Sequence, residues 1–177
     1  MKNFNQFTTA DFLRQAYLNA YEYSDDPSTQ CGAVFVPMGP HGPDDSRVCY
    51  GANHFPRGLE VTEARLTDRA VKLKHIEHAE RDAIYKAALR GVATFRGTLY
   101  APWFACVSCT RAIISAGITE VIGHQQAMDK TPDRWMADIL EGNAMFDEAG
   151  VKRTYYDGKL FENNEIQVLF NGELWTP

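Results

Sequence analysis

His78, Glu80, Cys106 and Cys109 are the residues of this chain whose types and spacing carry the clearest chemistry. They fall in two local patterns, His78-Ala79-Glu80 and Cys106-Val107-Ser108-Cys109, the second opening 28 positions after His78. One imidazole and two thiolates make a common three-ligand set for a catalytic zinc, with water in the fourth position. Cysteines three apart lie on the same side of a helix's first turn, so both sulfurs reach one metal. Residues two apart in a helix interior point roughly 200° away from each other. His78 and Glu80 therefore face one ion only if His78 sits at a helix mouth, where the dihedrals are not yet helical. Two helix N-termini then converge on the metal, and their partial positive ends favour the thiolates. Glu80 reads as a proton carrier rather than a fourth ligand. Zinc brings the pKa of bound water to about 7, and a carboxylate that relays that proton is worth about 10²–10⁴-fold.

Each half alone is ambiguous. A C-x-x-C pair also serves structural zinc and redox sites, and His-x-Glu recurs by chance. A structural zinc would need a fourth ligand, for which Cys31, Cys49, His54 and His75 are available by count. The two patterns together, in this order and each opening a helix, favour the catalytic reading.

The elements that must position these residues can be read from periodicity. Apolar residues at Phe12, Leu13, Ala16, Tyr17 and Ala20 predict a helix from Thr9 to about Tyr23, capped by Thr8 or Thr9 and stopped by Ser24-Asp25-Asp26-Pro27-Ser28. Residues 32–36 and 47–51 read as two strands of a hairpin around a Pro/Gly-rich stretch, Pro37 to Asp45. A polar excursion over 56–75 holds some helix near 62–72. Helices follow over Ala79–Leu89, Cys109–Ala116 and 132–149, the last with Trp135, Met136, Ile139, Leu140 and Phe146 inward. They alternate with strands at Thr98–Ala101, Glu120–Gly123 and Val151–Tyr155. Residues 166–170 suit an edge strand or a docking tail. Two early strands followed by helix–strand alternation predict an α/β fold, a mixed five-stranded sheet with helices on both faces.

The bulk numbers bound the function. At 177 residues the chain suits a single domain over 1–177, with the stretch from about 157 to 177 of undecided packing. A net charge of −5 and the lack of a Lys/Arg stripe argue against long nucleic acid as a partner, whereas a small anion needs only one or two local cations. The start at Met1-Lys2-Asn3-Phe4 has no signal-peptide pattern, and no apolar run approaches a membrane span. A cytoplasmic protein is expected, with its four cysteines as ligands or core thiols; Cys31 and Cys49 are most simply buried thiols.

Four blocks resemble the cytidine and deoxycytidylate deaminase superfamily, most of all its deoxycytidylate branch: Ser24-Asp-Asp-Pro-Ser-Thr-Gln-Cys-Gly-Ala33, Gly51-Ala-Asn-His-Phe-Pro-Arg-Gly58, His78-Ala-Glu-Arg-Asp-Ala-Ile84, and Ala105 through Ile118 with both cysteines. The resemblance implies a three-layer α-β-α sandwich and zinc held by His78, Cys106 and Cys109. It implies hydrolytic deamination at C4 of a cytosine ring, dCMP to dUMP with ammonia release, with Glu80 as the acid–base group. It also implies that Asn53 bonds the sugar, that the Ala79 N–H meets the base carbonyl, and that the protein is a homo-oligomer. A modified cytosine nucleotide, a free nucleoside or a purine base stay open as substrates, as does a non-catalytic zinc-stabilised nucleotide binder. The chain departs from the family pattern at Ala105 (proline), Asp82 (asparagine), Asp25 (a basic residue) and the pair Ala52 and His54 around Asn53. These departures cluster where sugar and phosphate recognition is expected. Trp103 and Phe104 are candidates for stacking on a base or for core packing, and Arg57 and Arg111 for meeting a phosphate.

Overall fold

Helix α1 (Thr9–Tyr23) starts at a reciprocal cap: the Thr8 hydroxyl accepts from the Asp11 N–H while the Asp11 carboxylate accepts from the Thr8 N–H. The computed structural model describes residues 7–39, the backbone of 42–43, and 47–177. The start of the chain and most of the Pro/Gly-rich loop, on which two expectations fell, lie outside the described residues.

After α1 come β1 (Gly32–Val36), a two-residue pairing of β2 (Met38–Gly39) with β3 (Gly42–Pro43), and β4 (Cys49–Ala52). Two short helices, α2 (Glu63–Thr67) and α3 (Arg69–His75), fill the polar excursion; Asp68 caps α3 by accepting from Ala70 and Val71. The chain then runs α4 (Ala79–Leu89), β5 (Thr98–Tyr100), α5 (Val107–Ser115), β6 (Glu120–His124), α6 (Gln125–Asp129), α7 (Asp133–Ala149) and β7 (Lys152–Tyr156). It ends in β8 (Val168–Phe170) and β9 (Glu173–Trp175).

The main sheet has the order β4-β1-β5-β6-β7, with β1 antiparallel to both neighbours and β5, β6 and β7 parallel. Its middle strands are covered on both faces, which is why β1 reads as an unbroken apolar run. Ala33 and Phe35 point into the core shared with α4, α5 and α7, together with Leu99, Val121, Ile113 and Phe146. Val34 and Val36 point the other way, onto Phe12 and Ala16 of α1. The expected mixed five-stranded sheet between helical layers is therefore what the chain forms.

Two details differ from expectation. Met136 and Leu140 of α7 are 40% and 60% exposed rather than inward. The helix buries a narrow stripe, Ile139, Gly142 and Phe146; Leu140 lies about 100° round from Ile139, and Met136 precedes the packed part. The first helical turn after the second zinc pattern begins at Val107, not Cys109, which makes Cys106 the cap. Of the two alternatives for residues 166–170, the edge strand is not formed; β8 pairs with β9 as a separate hairpin, and the docking tail is what the chain makes.

That tail docks on α1, burying Leu160, Phe161, Ile166 and Val168 against Leu13 and Tyr17. Below them His124 is fully buried between the Tyr17 hydroxyl (2.8 Å from Nδ1) and the Gly158 carbonyl (2.9 Å from Nε2). A carbonyl only accepts, so Nε2 carries the proton and Nδ1 accepts from Tyr17. Burial lowers the His124 pKa and keeps the ring neutral. Among the described residues no helix is long and apolar enough to cross a membrane.

Candidate active site

Gly51 sets where α4 begins. A Cβ built there would lie 2.0 Å from the Ala79 carbonyl oxygen and 2.6 Å from the Ala83 nitrogen, so β4 meets the first turn of α4 backbone to backbone. His78 is the N-cap of α4, with φ −88° and ψ 149°, the extended mouth position that the His-x-Glu spacing demands. Cys106 caps α5 in the same way, at φ −65° and ψ 160°. Neither side chain caps its own helix. Glu77 instead accepts from the His78 N–H at 2.8 Å and Asp138 from the Val107 N–H at 3.0 Å, which leaves imidazole and thiol free to turn toward each other.

His78 Nδ1 lies 3.6 Å from Cys106 Sγ and 3.5 Å from Cys109 Sγ. Zn–S and Zn–N bonds of about 2.3 and 2.1 Å at a tetrahedral angle put such atoms roughly 3.6 Å apart. The donor set and its spacing thus fit one zinc ion. Among the described residues no fourth His, Cys or carboxylate joins this group. Of the candidates by count, Cys49 opens β4 and is buried in the core, His54 is paired with Asp82 and His75 is bonded to the Val71 carbonyl. Cys31 lines the neighbouring cavity, where burial raises its pKa well above a free thiol's.

The electrostatics suit a cation. A hydrogen bond from Cys109, with His78 adding to it against the penalty of burial, holds the Cys106 thiol down to about 3. The bond to Cys106 and then burial push Cys109 up, so the proton rests on the second sulfur; a divalent ion would displace it. Glu80 is 5% exposed, and burial raises its pKa against the pull of His78.

His78, Cys106 and the Glu80 carboxylate open into a cavity of about 500 Å³, with Cys109 buried behind them. Trp103, Trp135 and Ile139 form its apolar wall, the two indoles meeting edge to face at 6.0 Å. Trp103 and Phe104 both line it, and Phe104 also stacks on Tyr155 at 5.6 Å in the core. Three cations, Arg69, Lys72 and Arg134, stand in the same wall. Lys72 is buried and reaches Asp26 at 2.7 Å and the Ser28 hydroxyl at 3.0 Å. Asp26 Oδ1 also accepts from the Ser28 and Thr29 N–H groups, so one carboxylate shapes the loop after α1. Arg57 and Arg111, the phosphate candidates by sequence, are exposed and line no part of this cavity.

Ala79 and Asn53 both line the cavity. The Asn53 side chain already has work: Oδ1 accepts from the Ser24 hydroxyl (2.6 Å) and the Cys31 N–H (2.7 Å), and Nδ2 donates to the Thr29 carbonyl (2.7 Å). It pins the loop over 24–31 to the end of β4. Of the positions that depart from the family pattern, Ala52, His54 and Asp82 lie beside it and bond to one another. His54 Nε2 lies 3.0 Å from Asp82 Oδ1, and Asp82 Oδ2 accepts from the Ala52 N–H at 3.0 Å and pairs with Lys86 at 2.7 Å. Asp25 accepts from the Phe55 N–H at 2.9 Å. Sequence reasoning missed Lys72, Asp26, Arg69 and Arg134 as site residues; a lysine or arginine on a polar helix carries no local mark of being turned inward.

Comparison with known proteins agrees with this arrangement. Residues 8–125 match the family model of the cytidine and deoxycytidylate deaminase zinc-binding region. Deoxycytidylate deaminase of Pongo abelii is 30% identical over 146 residues, covering 79% of this chain and 74% of the relative. The mouse enzyme is 32% identical over 117 residues, covering 63% of this chain and 61% of its own. In fold, the chain is similar to the dCMP deaminase of cyanophage S-TIM5 in its apo form, with a TM-score of 0.62 at 18% identity over 88% of this chain and all of that one. A match over two thirds of the sequence, enclosing both ligand patterns, makes this chain a member of the cytidine and deoxycytidylate deaminase family and a zinc-dependent hydrolytic deaminase.

Proposed function

We propose that this enzyme removes the 4-amino group of a cytosine nucleotide, with dCMP the expected substrate and dUMP and ammonia the products. The observation that carries the reading is one cavity lined by His78 and Cys106 of the zinc-ligand set, a buried carboxylate and three cations, with Cys109 just behind within reach of the same ion. The S-TIM5 enzyme, similar in fold, has been crystallised with dCMP and dUMP, which supports a nucleotide as substrate.

His78, Cys106 and Cys109 are assigned as the zinc ligands. Zinc, when bound, acidifies water to a pKa near 7 and so supplies a nucleophile for C4 at neutral pH. Glu80, whose proton burial holds more firmly than usual, takes the water's proton, passes it to N3 of the ring and then delivers a proton to the departing amine. Water adds at C4, the C4–N bond breaks, and ammonia leaves as the carbonyl forms. The Ala79 N–H, in the first turn of α4 where no intrahelical acceptor exists, is assigned to the base carbonyl. Asn53 has a second amide hydrogen to offer the sugar. Trp103 and Trp135 cover the base and keep bulk water out. Arg69, Lys72 and Arg134 favour a phosphorylated substrate over a bare nucleoside.

Zinc-loaded protein incubated with dCMP, deoxycytidine, cytidine, guanine and adenine should release ammonia fastest from dCMP. Glu80→Gln should keep its zinc and lose about 10²–10⁴-fold in kcat. Equal rates on dCMP and deoxycytidine would point to a nucleoside enzyme, and turnover unchanged by Glu80→Gln would remove Glu80 from the mechanism. A homo-oligomer is proposed as well, because Tyr23, Tyr50 and Leu89 (86% exposed) surround one shallow depression; light scattering of the pure protein tests it. A cytoplasmic setting suits four cysteines that are all free thiols.

A further inference from the structure

Part of the cavity wall is held by chain that lies outside the family match over 8–125. The hairpin of β8 and β9 turns at Asn171-Gly172, with φ +54° and +84°, the left-handed pair that a two-residue turn between right-twisted strands requires. Its backbone is stitched to the segment that carries Ser28 and Thr29. The Gln30 N–H donates to the Leu169 carbonyl at 2.8 Å, the Gly172 N–H to the Ser28 carbonyl at 2.7 Å, and the Asn171 N–H to Thr29 Oγ1 at 3.1 Å. Ser28 and Thr29 line the cavity.

The side chain of Asn171 reaches two further pieces of wall. Its Oδ1 accepts from Arg134 Nη2 at 2.9 Å, and its Nδ2 donates to the Lys130 carbonyl at 3.4 Å. Arg134 lines the cavity beside Trp135, and the Arg69 guanidinium stands over the Trp135 ring at 5.8 Å. The Arg69 guanidinium thus stands over an indole whose centroid is 6.4 Å from that of the His78 ring, and Arg134 is the next residue to that indole in sequence. Arginine has five N–H donors in a planar fork matched to phosphate oxygens. Asn171 occupies one end of that fork and leaves the rest available. A flexible guanidinium loses rotamer entropy on gripping an anion, and one already held loses less.

We infer that Asn171 is a positioning residue for nucleotide binding: it holds Arg134 toward the cavity to meet the substrate's phosphate, and through it the C-terminal hairpin belongs to the substrate site. The inference rests on the nucleotide reading above. It makes Arg134 a residue that distinguishes a 5′-monophosphate from the free nucleoside. Asn171 acts on the phosphate alone and does not touch the ring.

The experiment is calorimetric titration of the full-length, zinc-loaded protein with dCMP and with deoxycytidine, every protein carrying Glu80→Gln so that the ligand is bound and not turned over. The proteins compared are that parent alone and with Asn171→Gly, Arg134→Gln or both. Glycine suits the left-handed backbone at this position, so Asn171→Gly removes the side-chain amide without straining the turn. It should weaken dCMP binding about three- to tenfold, the scale of one lost hydrogen bond, and leave deoxycytidine binding, zinc content and melting temperature unchanged. In the Arg134→Gln background the same substitution should add nothing, since its effect runs through Arg134. Equal weakening of both ligands, full independence of the two substitutions, or no effect of Asn171→Gly on dCMP would each overturn the positioning role while leaving the nucleotide reading in place. If the Glu80→Gln parent binds dCMP no tighter than deoxycytidine, the nucleotide reading itself fails and takes this role with it.

Discussion

The two ends of the cavity are held in opposite ways. At the metal end, ligands come from two helix mouths, and within each pattern the functional residues stand two or three positions apart. Rigid helices and a β4 backbone pressed against Ala79 fix them. At the outer end, the wall is a set of loops and helix starts: the segment after α1, Asn53, Lys72 of α3, Arg134 of α7 and the tip of the C-terminal hairpin. These are joined by hydrogen bonds that span 22 to 142 positions of sequence. Chemistry is housed where local geometry is stiff, and substrate choice where distant segments must agree. Of the departures from the family pattern, Ala52, His54 and Asp82 form one hydrogen-bonded group at the outer end, Asp25 accepts from the nearby Phe55 N–H, and Ala105 stands next to Cys106 at the metal end.

The contrast is most sharply tested at the metal end. Cys109→Ala removes a fully buried sulfur proposed as a ligand and should lower zinc affinity by more than about 100-fold, since loss of a residue merely supporting a ligand already costs 10–100-fold. Metal content after dialysis and ammonia release should fall together. Retention of stoichiometric zinc would show that the sulfur is not a ligand.

At the outer end a buried ion pair should dominate stability rather than metal content. Lys72→Met leaves the Asp26 carboxylate buried without its ammonium partner, both side chains being under 10% exposed. A loss of about 3–5 kcal/mol in urea unfolding is expected. Lys72→Met combined with Asp26→Asn should recover much of it, and zinc binding by the folded fraction should be unchanged. A Lys72→Met protein as stable as the wild type would mean that the pair does not organise this wall.

The smallest effect is expected at His54 and Asp82. The hydrogen bond to Asp82 raises the His54 pKa against the opposing effect of burial. The Asp82 carboxyl is lowered by His54, Lys86 and the Ala52 N–H, which together outweigh its own burial. A raised histidine pKa contributes stability that is complete below its ordinary 6.5 and is lost as pH rises through the folded value. A lowered carboxyl contributes above its ordinary 3.8 and is lost as pH falls through the folded value. The pair is therefore worth most between those two pH values. His54→Gln should cost under about 1 kcal/mol near pH 5.5 and less at pH 8.5; thermal melts at the two pH values give the difference. A larger cost at the higher pH would reverse the assignment.

The same contrast explains what could be read before the fold was known. The metal end was legible because its chemistry restricts both residue type and spacing: a histidine at a helix mouth, a carboxylate two on, cysteines three apart. The strands, the pairing of the first two and the mixed character of the sheet followed from apolar runs and turn residues. The outer end was not legible, because Lys72 and Asp26 look like any surface lysine and any turn aspartate until α3 folds over the loop. Met136 and Leu140 were misjudged because periodicity locates an apolar face but not how narrow the contact is. Asn171-Gly172 between Val168-Leu-Phe170 and Glu173-Leu-Trp175 did carry a hairpin signature. What the turn would hold is set by the opposite end of the chain.

One pairing described above also bears on how the molecule forms. The Leu169 N–H meets the Gln30 side chain across 139 positions, and a contact of that span waits on the closure of nearly the whole chain. The helix mouths that gather sulfur and imidazole need far shorter loops. Closing the ligand end therefore costs more chain entropy than closing the metal end, by an amount that grows only with the logarithm of the two spans.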